Sequence, residues 1–140
     1  AKAGIKEKLV IVGDGRRRGE LEQYARELGI EDRVLFAGNR PNPYPWMKQA
    51  RCLVLSSKFE GLGIVLLEAL ACGTPILSVD CPGGVRDVLK GELEQYLTAR
   101  DADSLAEGMR RIVADPPVVK EAWLDDFKPE RVVERFLAGA

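Results

Sequence analysis

Apolar runs of strand length alternate along this chain with segments whose apolar residues recur at helical spacing. Residues 8–12 predict a buried strand that ends in the turn residues Gly13, Asp14 and Gly15. Over residues 17–29, Leu21, Tyr24, Ala25 and Leu28 fall on one helical face, and Gly29 supplies the stop. Residues 33–37 predict a second strand, 39–45 a proline-rich loop and 46–50 a short helix. A third strand is expected at 52–56, a helix at 63–72 stopped by Gly73, and a fourth strand at 75–79. The loop at 81–84 leads into a short helix through Val88, and 95–98 predict a fifth strand. Residues 101–114 read as a helix capped by Asp101 or Asp103, with Leu105, Met109, Ile112 and Val113 as its apolar stripe. Beyond the break at Pro116 and Pro117, two further helices are expected over 118–124 and 129–138. Uniformly apolar strands alternating with helices imply one α/β domain over residues 1–140, a doubly wound, Rossmann-like parallel sheet with helices on both faces.

In such sheets ligands sit outside the carboxyl ends of the strands, here at the loops 13–18, 38–45 and 56–63. The first, Gly13-Asp14-Gly15-Arg16-Arg17-Arg18-Gly19, resembles a dinucleotide fingerprint but spaces its third glycine one residue late. The next strand ends Ala37-Gly38-Asn39, without the acid that a nicotinamide ribose requires, which disfavours a dehydrogenase site. The three arginines stand where a helix dipole disfavours cations, and a solvated face is the better reading of them.

The loop at 56–63 is different in kind. Between Glu60 and Asp80 a single charge, Glu68, interrupts an otherwise apolar or small-residue run. A carboxylate buried without a partner there would be costly. Glu60 itself lies on the loop Phe59-Glu60-Gly61-Leu62-Gly63, whose glycines permit close backbone approach to a ligand. The helix that begins near Gly63 aims unpaired N–H groups and its positive dipole end at that loop, which suits a phosphate. Glu68 shares a face of this helix with Ile64 and Ala71, and a carboxylate so placed can accept two hydrogen bonds from a vicinal diol such as a ribose. The residues equally allow a half-buried acid paired with an Arg or Lys of a neighbouring helix.

Composition narrows the chemistry. At 140 residues with 46% apolar and 31% charged residues, the chain has the make-up of a soluble globular domain. A net charge of -1 gives no global argument for nucleic acid. No apolar stretch reaches the length of a membrane span, and no signal-peptide pattern opens the sequence. The absence of histidine removes imidazole acid–base chemistry, His-activated nucleophiles and most zinc sites, leaving carboxylates, cations, hydroxyls and backbone dipoles. Cys52, Cys72 and Cys81 lie singly in apolar segments and read as reduced thiols of a cytoplasmic protein.

The run 59–78, Phe-Glu-Gly-Leu-Gly-Ile-Val-Leu-Leu-Glu-Ala-Leu-Ala-Cys-Gly-Thr-Pro-Ile-Leu-Ser, resembles the signature of the family-four retaining glycosyltransferases of GT-B fold. Its two acids, separated by seven residues, match Glu60 and Glu68. Residues 8–15, 34–38, Asn42-Pro43-Tyr44, Lys48-Gln49-Ala50 and Asp80-Cys81-Pro82-Gly83-Gly84 fit as well, so the resemblance covers nearly the whole chain.

The resemblance implies the C-terminal, donor-binding half of an enzyme that moves a sugar from a nucleoside-diphosphate sugar to a glycan or lipid-linked acceptor. On that carry-over Glu68 grips the nucleotide ribose and Glu60 the donor sugar's hydroxyls. Lys58, Phe59, Gly61, Leu62, Gly63 and Ile64 surround the diphosphate and sugar, while Asn39 and Arg40 meet the base. The loop at 82–84 stays outside the contact shell. No metal or other cofactor is expected. The implied partners are the nucleotide-sugar donor and a missing N-terminal acceptor domain, with no nucleic acid. The full enzyme is expected in the cytoplasm, at the inner face of a membrane where its acceptor is lipid-linked, in polysaccharide or lipopolysaccharide biosynthesis.

Two departures follow. The family's preceding strand, whose loop supplies an Arg and a Lys to the diphosphate, is not in this sequence, so the domain is expected to be truncated and inactive alone. Without that strand, the strand at 8–12 is expected to pair with the one at 52–56 or with a strand from another chain. A nucleotide-binding or regulatory module without turnover is the alternative reading. An epimerase is disfavoured by the missing histidine, and a phosphorylase by the lack of a pyridoxal-binding lysine motif.

Overall fold

All five predicted strands form, but they fall into two parallel sheets. In the computed structural model, which describes residues 1–138, β1 (Leu9–Val12) pairs with β2 (Val34–Gly38). β3 (Leu53–Leu55), β4 (Ile76–Val79) and β5 (Leu97–Thr98) form the second sheet in the order β3-β4-β5. Between and after them run α1 (Arg18–Glu27), α2 (Tyr44–Gln49), α3 (Ile64–Ala71), α4 (Val85–Val88), α5 (Ala102–Ala114) and α6 (Pro129–Ala138). The α/β class with parallel strands and flanking helices is therefore present, while the expected pairing of β1 with β3 is not. Side chains join the two sheets instead. Ile5, on the lead-in to β1, packs with Cys52 and Val54 against the cluster of Leu77, Ile112 and Val113. Glu7 faces Arg51, beside β3, at 3.7 Å, while Arg33, beside β2, ties the lead-in to β1 by donating to the carbonyls of Ile5 and Glu7.

β4 is the most buried element: all four of its residues are inside. Ile76 and Val79 join a cluster with Leu66, Ala69 and Leu70 of α3 and with Val85 and Val88 of α4. Leu77 points to the second cluster, against Ile112 and Val113 of α5. Each such fully buried aliphatic side chain contributes about 1.5–3 kcal/mol. Neither cluster contains a residue of β1 or β2. Leu9, Val10 and Val12 are 47%, 39% and 37% exposed, which corrects the expectation of a buried first strand. Its apolar sequence follows from strand propensity, but among the described residues only β2 pairs with it.

Local chemistry explains the shifted boundaries. The short helix expected at 46 begins at Tyr44, because Pro45 sits in the first turn, where its missing N–H is not needed. Residues Gly91–Tyr96 wind as a 3-10 helix and shorten the fifth strand to Leu97–Thr98. The helix expected over 118–124 is a 3-10 segment, Glu121–Phe127. Asp101, not Asp103, caps α5: its carboxylate accepts from the Asp103 and Ser104 amides at 3.0 and 2.7 Å and from the Ser104 hydroxyl at 2.7 Å. All three cysteines are free thiols. Burial pushes the Cys52 thiol up to about 11, so it is unreactive near neutrality. No helix among the described residues is long and apolar enough to cross a membrane.

Two expectations follow from this packing. Gly108 lies inside α5, where alanine ordinarily stabilises by about 1 kcal/mol. A Cβ there would stand 2.7 Å from Thr98 Cγ2 and 2.9 Å from a Leu77 methyl. The close approach decides the sign, and Gly108→Ala should destabilise by about 1–3 kcal/mol in denaturant titrations. The hydrogen bonds from the Ser104 amide and hydroxyl hold Asp101 below its ordinary pKa of 3.8. A depressed folded-state value contributes stability above the unfolded value and loses it as pH falls through the folded one. The Tm gap between the wild type and Asp101→Ala should hold steady above pH 3.8 and shrink below it; a gap independent of pH would contradict this.

Candidate functional site

The segment from Ser56 to Gly63 leaves the end of β3, and backbone bonds fasten its Glu60–Gly61 stretch. Glu60 N–H donates to the Pro82 carbonyl at 3.1 Å, and Gly84 N–H donates to the Gly61 carbonyl at 2.5 Å. Glu60 and Gly83 form a parallel bridge. Only glycine fits opposite. At Gly83, with φ of +111°, a Cβ would lie 1.6 Å from the Glu60 carbonyl oxygen. At Gly84 it would lie 2.6 Å from the Gly61 carbonyl oxygen and 2.9 Å from Leu62 Cα. Residues 82–84, which the resemblance sets outside the ligand's contact shell, clasp the loop that carries Glu60.

Each of the two acids meets a neutral hydroxyl. The Ser57 hydroxyl donates to Glu60 Oε1 at 2.5 Å. The Tyr44 phenol donates to Glu68 Oε1 at 3.1 Å. Among the described residues Glu68 has no Arg or Lys partner, so the protein ion pair left open by the sequence is not formed. Glu68 stands on the outer side of α3, half-buried, while Leu66, Ala69 and Leu70 carry the inner side into the core. Gly63 precedes α3 without a side-chain cap, and Leu66 N–H is already bonded to the Gly63 carbonyl. The amides of Ile64 and Val65 start the helix with no side-chain acceptor, at the positive end of its dipole.

The remaining predicted residues divide into two groups. Phe59, Leu62 and Ile64 rim the loop with exposed apolar surface, Phe59 and Ile64 at 70% and 64%. Lys58 is exposed, and Arg100 donates to its carbonyl at 3.4 Å. Both cations line an open hollow of about 430 Å³ beyond the ends of the second sheet, with Ser56, Ser57 and Val79. Asn39 and Arg40, also exposed, follow directly after β2. There the Arg40 guanidinium sits over the Trp46 ring, 5.7 Å from its centre. Gly61 and Gly63 serve the backbone, the first as clasp acceptor and the second as the buried start of α3. The arginines of the first loop are mostly spent locally, Arg17 on Glu20 and Arg18 on Glu22 and the Phe36 ring, in accord with a solvated face.

The profile described as "Glycosyl transferases group 1" matches residues 2–123. The chain belongs to that family. Among its group 1 relatives is the lipopolysaccharide 1,6-galactosyltransferase of Salmonella typhimurium, 37% identical over 111 residues, covering 76% of this chain and 31% of the relative. The N-acetyl-alpha-D-glucosaminyl L-malate synthase of Bacillus anthracis is 30% identical over 137 residues, 92% of this chain and 36% of the relative. Among solved structures, the apo form of the lipopolysaccharide outer core galactosyltransferase WaaB superposes with a TM-score of 0.80 at 32% identity, covering 93% of this chain and 39% of that one. The chain thus spans about a third of these group 1 glycosyltransferases.

Sequence reasoning missed Tyr44, Ser57 and Arg100 as neighbours of the site. Tyr44 carried a local signal: Asn42 Oδ1 accepts from Tyr44 N–H at 3.1 Å, an Asx turn that launches α2 toward α3. If the clasp sets the Glu60 loop, Gly83→Ala should displace residues 59–62 and destabilise by about 2–4 kcal/mol. Gly15→Ala, with open space around its Cβ, should stay within about 0.5 kcal/mol. Equal effects of the two substitutions in thermal unfolding would refute the clasp.

Proposed function

We propose that this chain is the donor-binding part of a retaining glycosyltransferase that takes a sugar from a nucleoside-diphosphate sugar. The observation that carries the reading is the pair Glu60 and Glu68, each held by a neutral hydroxyl, on either side of an uncapped helix start. Free amides at the start of α3 suit the diphosphate. Glu68, with the Tyr44 phenol donating to its Oε1, accepts the ribose diol. Glu60, held by Ser57 and the clasp, takes the hydroxyls of the donor sugar. The base lies by Asn39 and Arg40, where the guanidinium on Trp46 offers a flat cationic edge.

The reaction is anomeric transfer with retention, through a transition state of oxocarbenium character as the nucleoside diphosphate departs. Glu60 positions and stabilises the sugar rather than attacking it. The departing charge is met by the amides of residues 64 and 65 at the positive end of α3. No metal is assigned a part. The acceptor is a glycan or lipid-linked glycan, supported by the two lipopolysaccharide galactosyltransferases among the relatives. An acceptor-binding domain completes the enzyme, at a membrane surface where the acceptor is a lipid.

Titration of the chain with uridine diphosphate and guanosine diphosphate, followed by calorimetry or amide chemical shifts, tests this. One of the two should bind weakly, with shifts centred on residues 61–65, and Glu68→Ala should abolish the binding. Unchanged affinity in Glu68→Ala would refute the ribose assignment.

A further inference from the structure

Tyr44 does not need Glu68 in order to be stable. Its ring is 48% exposed, so water could satisfy the phenol. Nevertheless the phenol is spent on Glu68 Oε1, and the fold fixes the helix that delivers it. Met47, one turn further along α2, is buried, and its carbonyl accepts from the buried Thr74 hydroxyl at 2.7 Å. Thr74 follows the end of α3, so this bond ties α2 to the helix that carries Glu68. The Asx turn at Asn42 and the fixed φ of Pro45 set the other end of α2. The donor and acceptor of the Tyr44–Glu68 bond are thus presented by two helices locked to one another.

We propose that Tyr44 is a positioning residue for Glu68, whose phenol orients the carboxylate so that its other oxygen receives the ribose diol. This rests on the donor reading of Glu68. An ionised carboxylate offers about four lone-pair positions; the phenol takes one, and among the described residues Oε2 has no hydrogen-bond donor, which leaves it for a two-point contact. A lysine or arginine in the same place would compete with the diol by ion pairing; a phenol orients the acid without neutralising it. The hydrogen bond to Glu68, with that group's charge, raises the Tyr44 pKa above its ordinary value, so the phenol remains a donor throughout the neutral range. An ordered carboxylate has less side-chain freedom to lose on binding. Tyr44 is therefore a determinant of ribose recognition, although it need not touch the nucleotide.

The test compares a nucleoside diphosphate with its 2′,3′-dideoxy form, using whichever of uridine or guanosine diphosphate binds the chain more tightly. The wild type should prefer the ribose form. Tyr44→Phe keeps the ring and its packing; it should weaken the ribose form about three- to ten-fold while leaving the dideoxy form unchanged. A merely structural role would weaken both ligands alike, and that result overturns the proposal, as does a Tyr44→Phe protein indistinguishable from wild type. Glu68→Gln separates the two levels. If it leaves the ribose preference intact, the reading of Glu68 falls and the role of Tyr44 with it. If it removes the preference while Tyr44→Phe does not, Tyr44 alone is excluded.

Discussion

The contact between two backbones at Gly83 and Gly84 governs the candidate site. The Glu60 loop leaves a three-residue strand and would otherwise be one more surface turn. Two amide–carbonyl bonds and a bridge fasten it to the loop after β4. β4 is buried along its whole length between α3 and α5. The position of Glu60 is therefore inherited from the hydrophobic core through the backbone, with no side chain of its own loop buried to hold it. That arrangement keeps Phe59, Lys58 and Ile64 outward and available while the main chain beneath them is fixed.

Much of this was legible in the sequence. The alternation of strand and helix, the burial of residues 76–79 and a cap of α5 at Asp101 or Asp103 follow from periodicity and from Gly, Pro and Asp positions. Other features were not legible because they depend on contacts distant in sequence. An apolar run such as residues 9–12 reads the same whether it lies in the centre of a sheet or at an open edge, so the division into two sheets was invisible. The Tyr44–Glu68 bond spans 24 residues and the Glu60–Pro82 bond joins two loops; neither leaves a periodic trace. Pro45 misled for a different reason. A proline in a loop-like stretch suggests irregular chain, yet in the first turn of a helix it is compatible with the helix and preorganises it.

The division of charge explains why the acids can serve a ligand. Among the described residues, cations with a defined carboxylate partner include those on Glu20, Glu22, Asp80, Glu92, Glu107 and Asp126, and none sits on Glu60 or Glu68. Those pairs are exposed, and each contributes little to stability. At the site, by contrast, Glu60 and Glu68 meet hydroxyls. A hydroxyl fixes one oxygen of a carboxylate and leaves both its charge and its other acceptor positions in place. Had Glu68 been satisfied by a lysine, a sugar diol would have to displace a charged donor with a neutral one, at a loss. Neutral positioning leaves a charged acceptor open to a ligand that donates through neutral hydroxyls. It also accounts for a carboxylate in an otherwise apolar helix: half-buried and held by one phenol, Glu68 is neither desolvated enough to be prohibitive nor paired tightly enough to be occupied.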